Sequence, residues 1–322
     1  MSVSSHATTP AEVLTSYNAY RTALDKNDKK SATKHAYEAW QTAEKLLGDH
    51  KATGDLAFNY AEITPPRRIK NRHKNYEKRA KAYKRAIKLV HFHGDDVPVR
   101  ELERRINLAE LELTVRRGNR IGKFGTLKDI EKAIHSHGQE GSTFDADLHA
   151  LYAQYYLANR KFEKAIEYGE KAIKLYESRT DGYVSKHEYF IRVFKGDSHI
   201  ALSDKNDDLS EKVNAALEYQ NVMQNLEGTL PPDHVFVKTA FRKWMKTRSD
   251  IESAGKLEEA EAAGLCECWP FEDYKNKVIP LVRVPPMMPS GAKKSGHVNV
   301  MYDVTEAGKP DNVRIVSSSA PI

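Results

Sequence analysis

The side chains of this chain that could do chemistry gather in four places. Two histidine pairs, His91/His93 in "HFHGDD" and His135/His137 in "HSHGQEG", offer imidazole nitrogens. Cys266 and Cys268, one residue apart in "GLCECWPF", offer thiolates. A closed zinc site needs four such ligands, and each of these groups supplies two with none close by in sequence. Histidine near a helix C-terminus is favoured by the dipole without any ligand, and that accounts for both pairs. For the cysteines three states are open: unpaired thiols, an oxidised pair that is sterically awkward across one residue, or a share in a metal site. No metal and no cofactor is expected.

The fourth place is a block of charge. From Pro65 to Lys88 there are eleven Lys or Arg against one acid, Glu77, a balance of +10 (11 − 1). From Glu252 to Asp273 the sign reverses, with seven acids against Lys256. A basic block attracts an acidic peptide, anionic lipid or nucleic acid. No RNP, zinc-finger or helix-turn-helix signature accompanies it, and aromatics are not interleaved as stacking platforms, so nucleic acid is disfavoured. Arg67, Arg68, Lys70, Arg72 and Lys74 are read as an inter-helix loop and form a candidate partner-binding set. Nucleophile and phosphate motifs are missing: there is no Gly-rich phosphate loop, G-x-S-x-G, H-E-x-x-H, or Cys with a motif-borne His. An enzyme is not expected.

The elements that must position these residues read as helices. The 322 residues are 40% hydrophobic and 30% charged with a mean hydropathy of −0.67, as suits exposed helices that each hide one stripe. No apolar run approaches the roughly 18 residues of a membrane span. The first nine residues have no apolar h-region. Ser5-His6-Ala7 has the small-x-small form of a signal-peptidase site, so residues 1–9 read either as a signal-peptide remnant or as an ordinary tail.

A repeat organises the helices. "AIKL" occurs at 86–89 and at 172–175, each with an aromatic ten residues before its alanine, Tyr76 and Phe162. Similar signatures surround Ala43, Ala133 and, in divergent form, Val222, at spacings of 43, 47, 39 and 50 residues. Small residues let antiparallel helices approach, large apolar ones fill the groove, and each pair must stack on its neighbours to bury its face. "EITPPRRIKNRHKN" and "SDKNDDLS" read as longer loops between helices.

Segment 145–177 resembles a tetratricopeptide repeat through Ala153, Tyr156, the turn at Asn159-Arg160, Phe162, Ala165 and Ala172. It departs at Gly169, where that family prefers an aromatic, and the other segments lack the closing proline. The resemblance implies four or five repeats forming an α-solenoid whose groove holds a peptide or protein.

The C-terminus changes period. Val298, Val300, Tyr302 and Val304 alternate with polar residues, as in a half-buried strand. With Pro285, Pro286, Pro289, Ala292, Gly296, Gly308, Val313, Ile315, Val316, Ser317 and Ser318, this stretch resembles the first half of the TonB C-terminal domain. Met288 stands where that family has Tyr, and the family's helix and third strand have no counterpart before Ile322, so either the chain is truncated or the hairpin packs on the helical array or on a partner. The membrane anchor of that family has no counterpart either, which leaves a role in energy transduction open. A lone hairpin is marginal and its edges invite pairing, so Val298, Val300, Tyr302 and Val304 join the candidate partner-binding set.

The expected organisation is mainly α. A tail at 1–9 precedes a tetratricopeptide-like helical domain at 10–262, a Pro-containing linker at 263–292, and a partial TonB-like β-hairpin at 293–322. The expected function is a periplasmic, non-enzymatic adaptor for an outer-membrane receptor or another envelope protein. The alternative is a cytoplasmic scaffold using the basic 65–88 stretch on an acidic partner or nucleic acid.

Overall fold

A computed structural model describes residues 10–64, 72–114, 116–117, 120–178, 186–226, 234–266, 298–304 and 310–318, with the backbone alone for 72–74, 116–117, 120–121, 186–187, 225–226, 235 and the two C-terminal strands. The chain divides into two compact units, residues 1–218 and 219–322. Among the described residues it is mainly helical, with twelve α-helices.

The first unit opens with α1 (Ala11–Asp25), α2 (Lys29–Leu46), α3 (Lys51–Ile63) and α4 (Arg72–Lys88). A 3-10 segment, Val90–Asp96, leads into α5 (Val97–Leu113). Two short strands, β1 (Arg116–Arg117) and β2 (Arg120–Ile121), pair antiparallel before α6 (Phe124–Ser136), α7 (Thr143–Ala158), α8 (Phe162–Glu177) and α9 (Lys186–Asn206). From α1 to α9 each helix packs on the next in sequence, and α7 also touches α5 and α9 two places away. That is how stacked helical hairpins pack.

Side-chain caps set several helix starts. The Asp28 carboxylate accepts from the Lys30 and Ser31 amides, His50 Nδ1 from Ala52, and Ser142 Oγ from Phe144. Each satisfies an amide that the helix itself leaves unpaired. Pro98 lies in the first turn of α5, where its missing N–H costs nothing.

The repeat register is visible in burial. Ala43, Ala86, Ala133 and Ala172 fall on α2, α4, α6 and α8, and all are buried. Ala153, Ala165 and Ala172 are at most 2% exposed, and Tyr156 is buried too. Ala172 sits among Ala146, Ala150 and Ala153 of α7 and Ile191 of α9, so three helices meet where side chains are short. Gly169 is buried on the same contact. A Cβ there would lie 3.7 Å from Ile191, so a methyl fits but no aromatic does. Ile191 takes the space that an aromatic at 169 would fill. Phe162 begins α8 and is half-buried.

Two loop expectations need correction. Helix α4 starts at Arg72, so Arg72 and Lys74 lie in its first turn rather than in a loop; Arg67, Arg68 and Lys70 lie outside the described residues. "SDKNDDLS" is also mostly helical. Helix α9 runs to Asn206, leaving Asp207 and Asp208 before α10 (Leu209–Leu226). Asp207 adopts φ +54°, which Asp tolerates better than most residues. Asp208 accepts from the Ser210 amide at 2.9 Å, so two residues turn the chain and cap α10.

In the second unit, α11 (Val235–Ser253) and α12 (Leu257–Ala262) pack together. Gln220 ties the end of this unit. Its Nε2 donates to the Gly264 carbonyl at 3.0 Å and its Oε1 accepts from the Cys266 amide at 2.9 Å. Strands β3 (Val298–Val304) and β4 (Pro310–Ser318) run antiparallel, with Val298 opposite Ser318, Val300 opposite Ile315 and Val304 opposite Pro310. Register shifts interrupt the ladder twice, between Asn299 and Val300 and between Met301 and Asp303.

Candidate interaction surface

The basic block resolves into an inward and an outward set once α4 is placed. Tyr76, Ala80, Ala82, Tyr83 and Ala86 are buried, which fixes the helix's rotation. Arg79 Nε then reaches the Ala61 carbonyl of α3 at 2.9 Å. Arg85 grips both oxygens of Glu44 on α2 at 2.7 Å each, touches Asp49 at 2.7 Å and donates to the Gly48 carbonyl at 3.2 Å. The Glu44 and Asp49 hydrogen bonds hold the Arg85 guanidinium above its usual pKa against a smaller effect of burial. Lys88 Nζ lies 3.6 Å from Asp49. Outward stand Lys78, Lys81 and Lys84, all exposed. Sequence reasoning had weighed the arginines and lysines of 67–74 above these three. The signal that separates them is the apolar stripe at 76, 80, 83 and 86, which turns 79 inward and leaves 78, 81 and 84 in solvent.

Beneath α4 lies a buried polar hub that the sequence did not reveal. Arg104 of α5 is 1% exposed. Its Nη1 donates to the Ala86 carbonyl at 2.8 Å, and Nη2 lies 2.5 Å from Asp55 Oδ1 of α3 and 3.1 Å from His93 Nε2. Phe58 carries the guanidinium over its ring at 5.5 Å. Ala86 belongs to the last turn of α4, where carbonyls need partners from outside the helix. One side chain thus closes α4 and joins it to α3, the 3-10 segment and α5. Its only sequence trace is the burial pattern of "ELERRINLAELEL", which hides two faces of α5 rather than one.

The histidine pairs are used differently from one another. His91 Nδ1 contacts the Lys88 carbonyl at 3.1 Å at the end of α4, in keeping with a capping role. His93 is buried against Asp55 and Arg104 instead. Burial pushes its imidazole below the usual 6.5; Asp55 opposes that, and the Arg104, Lys51 and Arg100 charges add to it. His135 meets Glu140 at 2.6 Å, and His137 meets Glu101 of α5 at 3.1 Å. Gly138 follows α6 at φ +60°, as a left-handed helix end requires. Gly94 also has positive φ, but inside the 3-10 segment rather than at a helix end. Among the described residues no three His, Cys, Asp or Glu side chains are grouped to hold a metal ion. Cys266 is disulfide-bonded rather than a free thiol; Cys268 lies outside the described residues.

An aromatic cluster joins α6–α8, with Tyr152, Tyr155 and Tyr156 buried and Phe124 at its exposed rim. Phe124, Tyr152, Tyr155, Tyr156 and Tyr168 form one aromatic cluster with centroid separations of 4.9–6.5 Å. Lys128 lies over Phe124 and Tyr152, Lys164 over Tyr156, and Lys171 over Tyr168. Lys128 and Lys171 are also paired with Glu131 and Glu167. Of the remaining candidates, Val298, Val300, Tyr302 and Val304 form β3; their side chains lie outside the described residues.

No helix among the described residues is long and apolar enough to cross a membrane. No family model and no curated protein matches the chain. A solved structure, BtubC (BKLC) from P. vanneervenii, is similar at 16% identity and a TM-score of 0.34, over 80% of this chain and 89% of that one.

Proposed function

We propose that the chain is a non-enzymatic protein–protein interaction adaptor of the bacterial envelope. Its helical array would hold a peptide or protein segment, and its C-terminal strands would add to an outer-membrane receptor or another envelope protein. The observation that carries this reading is the packing of α1–α9, where each helix is buried against its sequence neighbours. Such arrays leave a run of solvent-facing helix positions free to vary, which is how they hold partners. The tetratricopeptide-like positions Ala153, Tyr156, Ala165 and Ala172 serve the array by burial and leave recognition to other residues. Strands β3 and β4 form a two-stranded sheet among the described residues, a form whose outer edges accept a further strand. Placement in the periplasm belongs to this proposal and rests on the TonB-like pattern of 285–318.

Amide exchange over 298–304 and 310–318 tests strand addition. Plug-domain peptides from outer-membrane receptors should slow exchange in one strand, and Val300→Asp should abolish that while leaving the melting of the helical body unchanged. Exchange that no such peptide alters would remove the reading's C-terminal half.

A further inference from the structure

We propose that the outward face of α4 docks an extended acidic protein segment, an inference that rests on the adaptor reading and supplies the chemistry of its partner. Lys78, Lys81 and Lys84 are exposed, and none of them has a carboxylate within ion-pair distance among the described residues. Lys78 lies 5.3 Å from the centre of the Tyr37 ring, which orients its stem without neutralising its charge. Spaced three apart on a helix, the lysines form a ridge of about 9 Å. Glu77 and Lys88 are the other exposed residues on the described part of that helix, so one acid stands against four lysines.

The start of α4 adds an independent observation. It opens with Arg72, His73 and Lys74 and has no acid in its first turn. Cationic residues there oppose the helix dipole. An anion laid along the helix relieves that repulsion and neutralises the ridge together. Arg72 falls about 180° round the helix from Lys81, whereas Lys74 falls on the ridge's side. From Lys74 to Lys84 is about 15 Å of helix, the length of about four or five extended residues.

The same face says which anion. Its exposed residues include no apolar side chain, so nothing on it is suited to enter a lipid surface. Tyr76 and Tyr83 of α4 are buried, so among its described side chains the helix itself presents no ring on which successive bases could stack, and Tyr37 beside Lys78 is a single half-buried one. Arg79 and Arg85, whose forked guanidinium suits bidentate capture, are turned inward. What remains outward is a line of flexible ammonium groups, matched to a succession of single carboxylates.

Fluorescence anisotropy with the full chain and a labelled polyglutamate peptide tests this. A polyglutamine peptide, vesicles containing phosphatidylglycerol, and single-stranded DNA serve as competing probes at the same salt. The parent should bind polyglutamate in preference to all three. Combining Lys78→Ser, Lys81→Ser and Lys84→Ser should weaken that binding about tenfold, as three exposed pairs predict, and flatten its salt dependence. Combining Lys132→Ser, Lys161→Ser and Lys174→Ser, an equal charge change on α6, the α7–α8 turn and α8, should leave affinity at the parent value. Equal loss in both triple variants, no loss in the first, or tighter binding of vesicles or DNA would each overturn the proposal. Because strand addition is read from exchange in 298–318, the adaptor reading can fail there while this result stands, and the reverse.

Discussion

Removing the carboxylate of Asp55 should cost far more stability than removing the guanidinium that it pairs with. The two partners differ in their access to water. The Asp55 side chain is 38% exposed, whereas that of Arg104 is 1% exposed. Asp55→Leu leaves a cation that cannot rehydrate, still bonded to the Ala86 carbonyl but with no counter-charge and with Nε already unpartnered among the described residues. Breaking a buried pair in this way costs about 3–5 kcal/mol. Arg104→Met keeps an apolar stem against Phe58 and leaves Asp55 free to take up water. Its cost is the lost partner of the Ala86 carbonyl, about 1–3 kcal/mol. The double variant should then be more stable than Asp55→Leu alone, because the stranded charge has gone. Urea unfolding followed by circular dichroism gives the order of the three variants, and a double-mutant cycle gives the coupling. Since the array need not unfold in one step, amide exchange across α3, α4 and α5 should locate the loss there. Equal costs for the two single variants, or no rescue in the double, would show that the hub is not held by charge pairing in a dry site.

The same hub and two other contacts give further expectations. His93 and His149 are both pushed below 6.5 by burial. As pH falls below about 6.5 the unfolded chain takes up protons that the folded chain refuses, so stability should drop through that window. His93→Leu should flatten the pH dependence of urea midpoints between neutrality and mild acid; an unchanged slope would count against its burial. Ala172→Leu should destabilise by about 1–3 kcal/mol through overpacking against Ala146, Ala150, Ala153 and Ile191, and a neutral effect in thermal melts would mean that the register is wrong. Gln220→Leu should loosen α12 and the following residues by about 1–3 kcal/mol, since the Gly264 carbonyl and the Cys266 amide lose their common partner; unaltered exchange at the Cys266 amide would refute that.

What was legible in the sequence was whatever repeats. Ala43, Ala86, Ala133 and Ala172 share a register because close helix approach leaves room only for a small side chain, and that demand recurs at every hairpin. Loop boundaries were less legible. "SDKNDDLS" contains Asp, Asn and Ser, residues of turns and caps alike, and nothing local says that the helix before it continues to Asn206 while two aspartates suffice to turn and cap. The start of α4 at Arg72 was hidden for a related reason. Its first turn carries three basic groups where helix starts usually carry acids.

The polar hub and the outward ridge were illegible for a different reason, and it bears on where function sits in such an array. Arg104 and Arg105 are adjacent and chemically identical, yet one is buried against Asp55 and the other pairs with Glu101 nearer the surface. Arg85 and Lys84 differ by 100° of helix rotation, and that angle alone sends one to Glu44 and the other to solvent. Composition counts these residues together, and only the apolar stripe between them assigns each a side. A repeat array repeats that stripe and leaves the outward positions unconstrained, so the residues that hold a partner carry no shared motif. Recognition by Lys78, Lys81 and Lys84 would therefore move with any substitution that rotates α4. Tyr83, whose hydroxyl donates to Glu62 of α3 at 2.5 Å, is one of the buried side chains that hold that rotation.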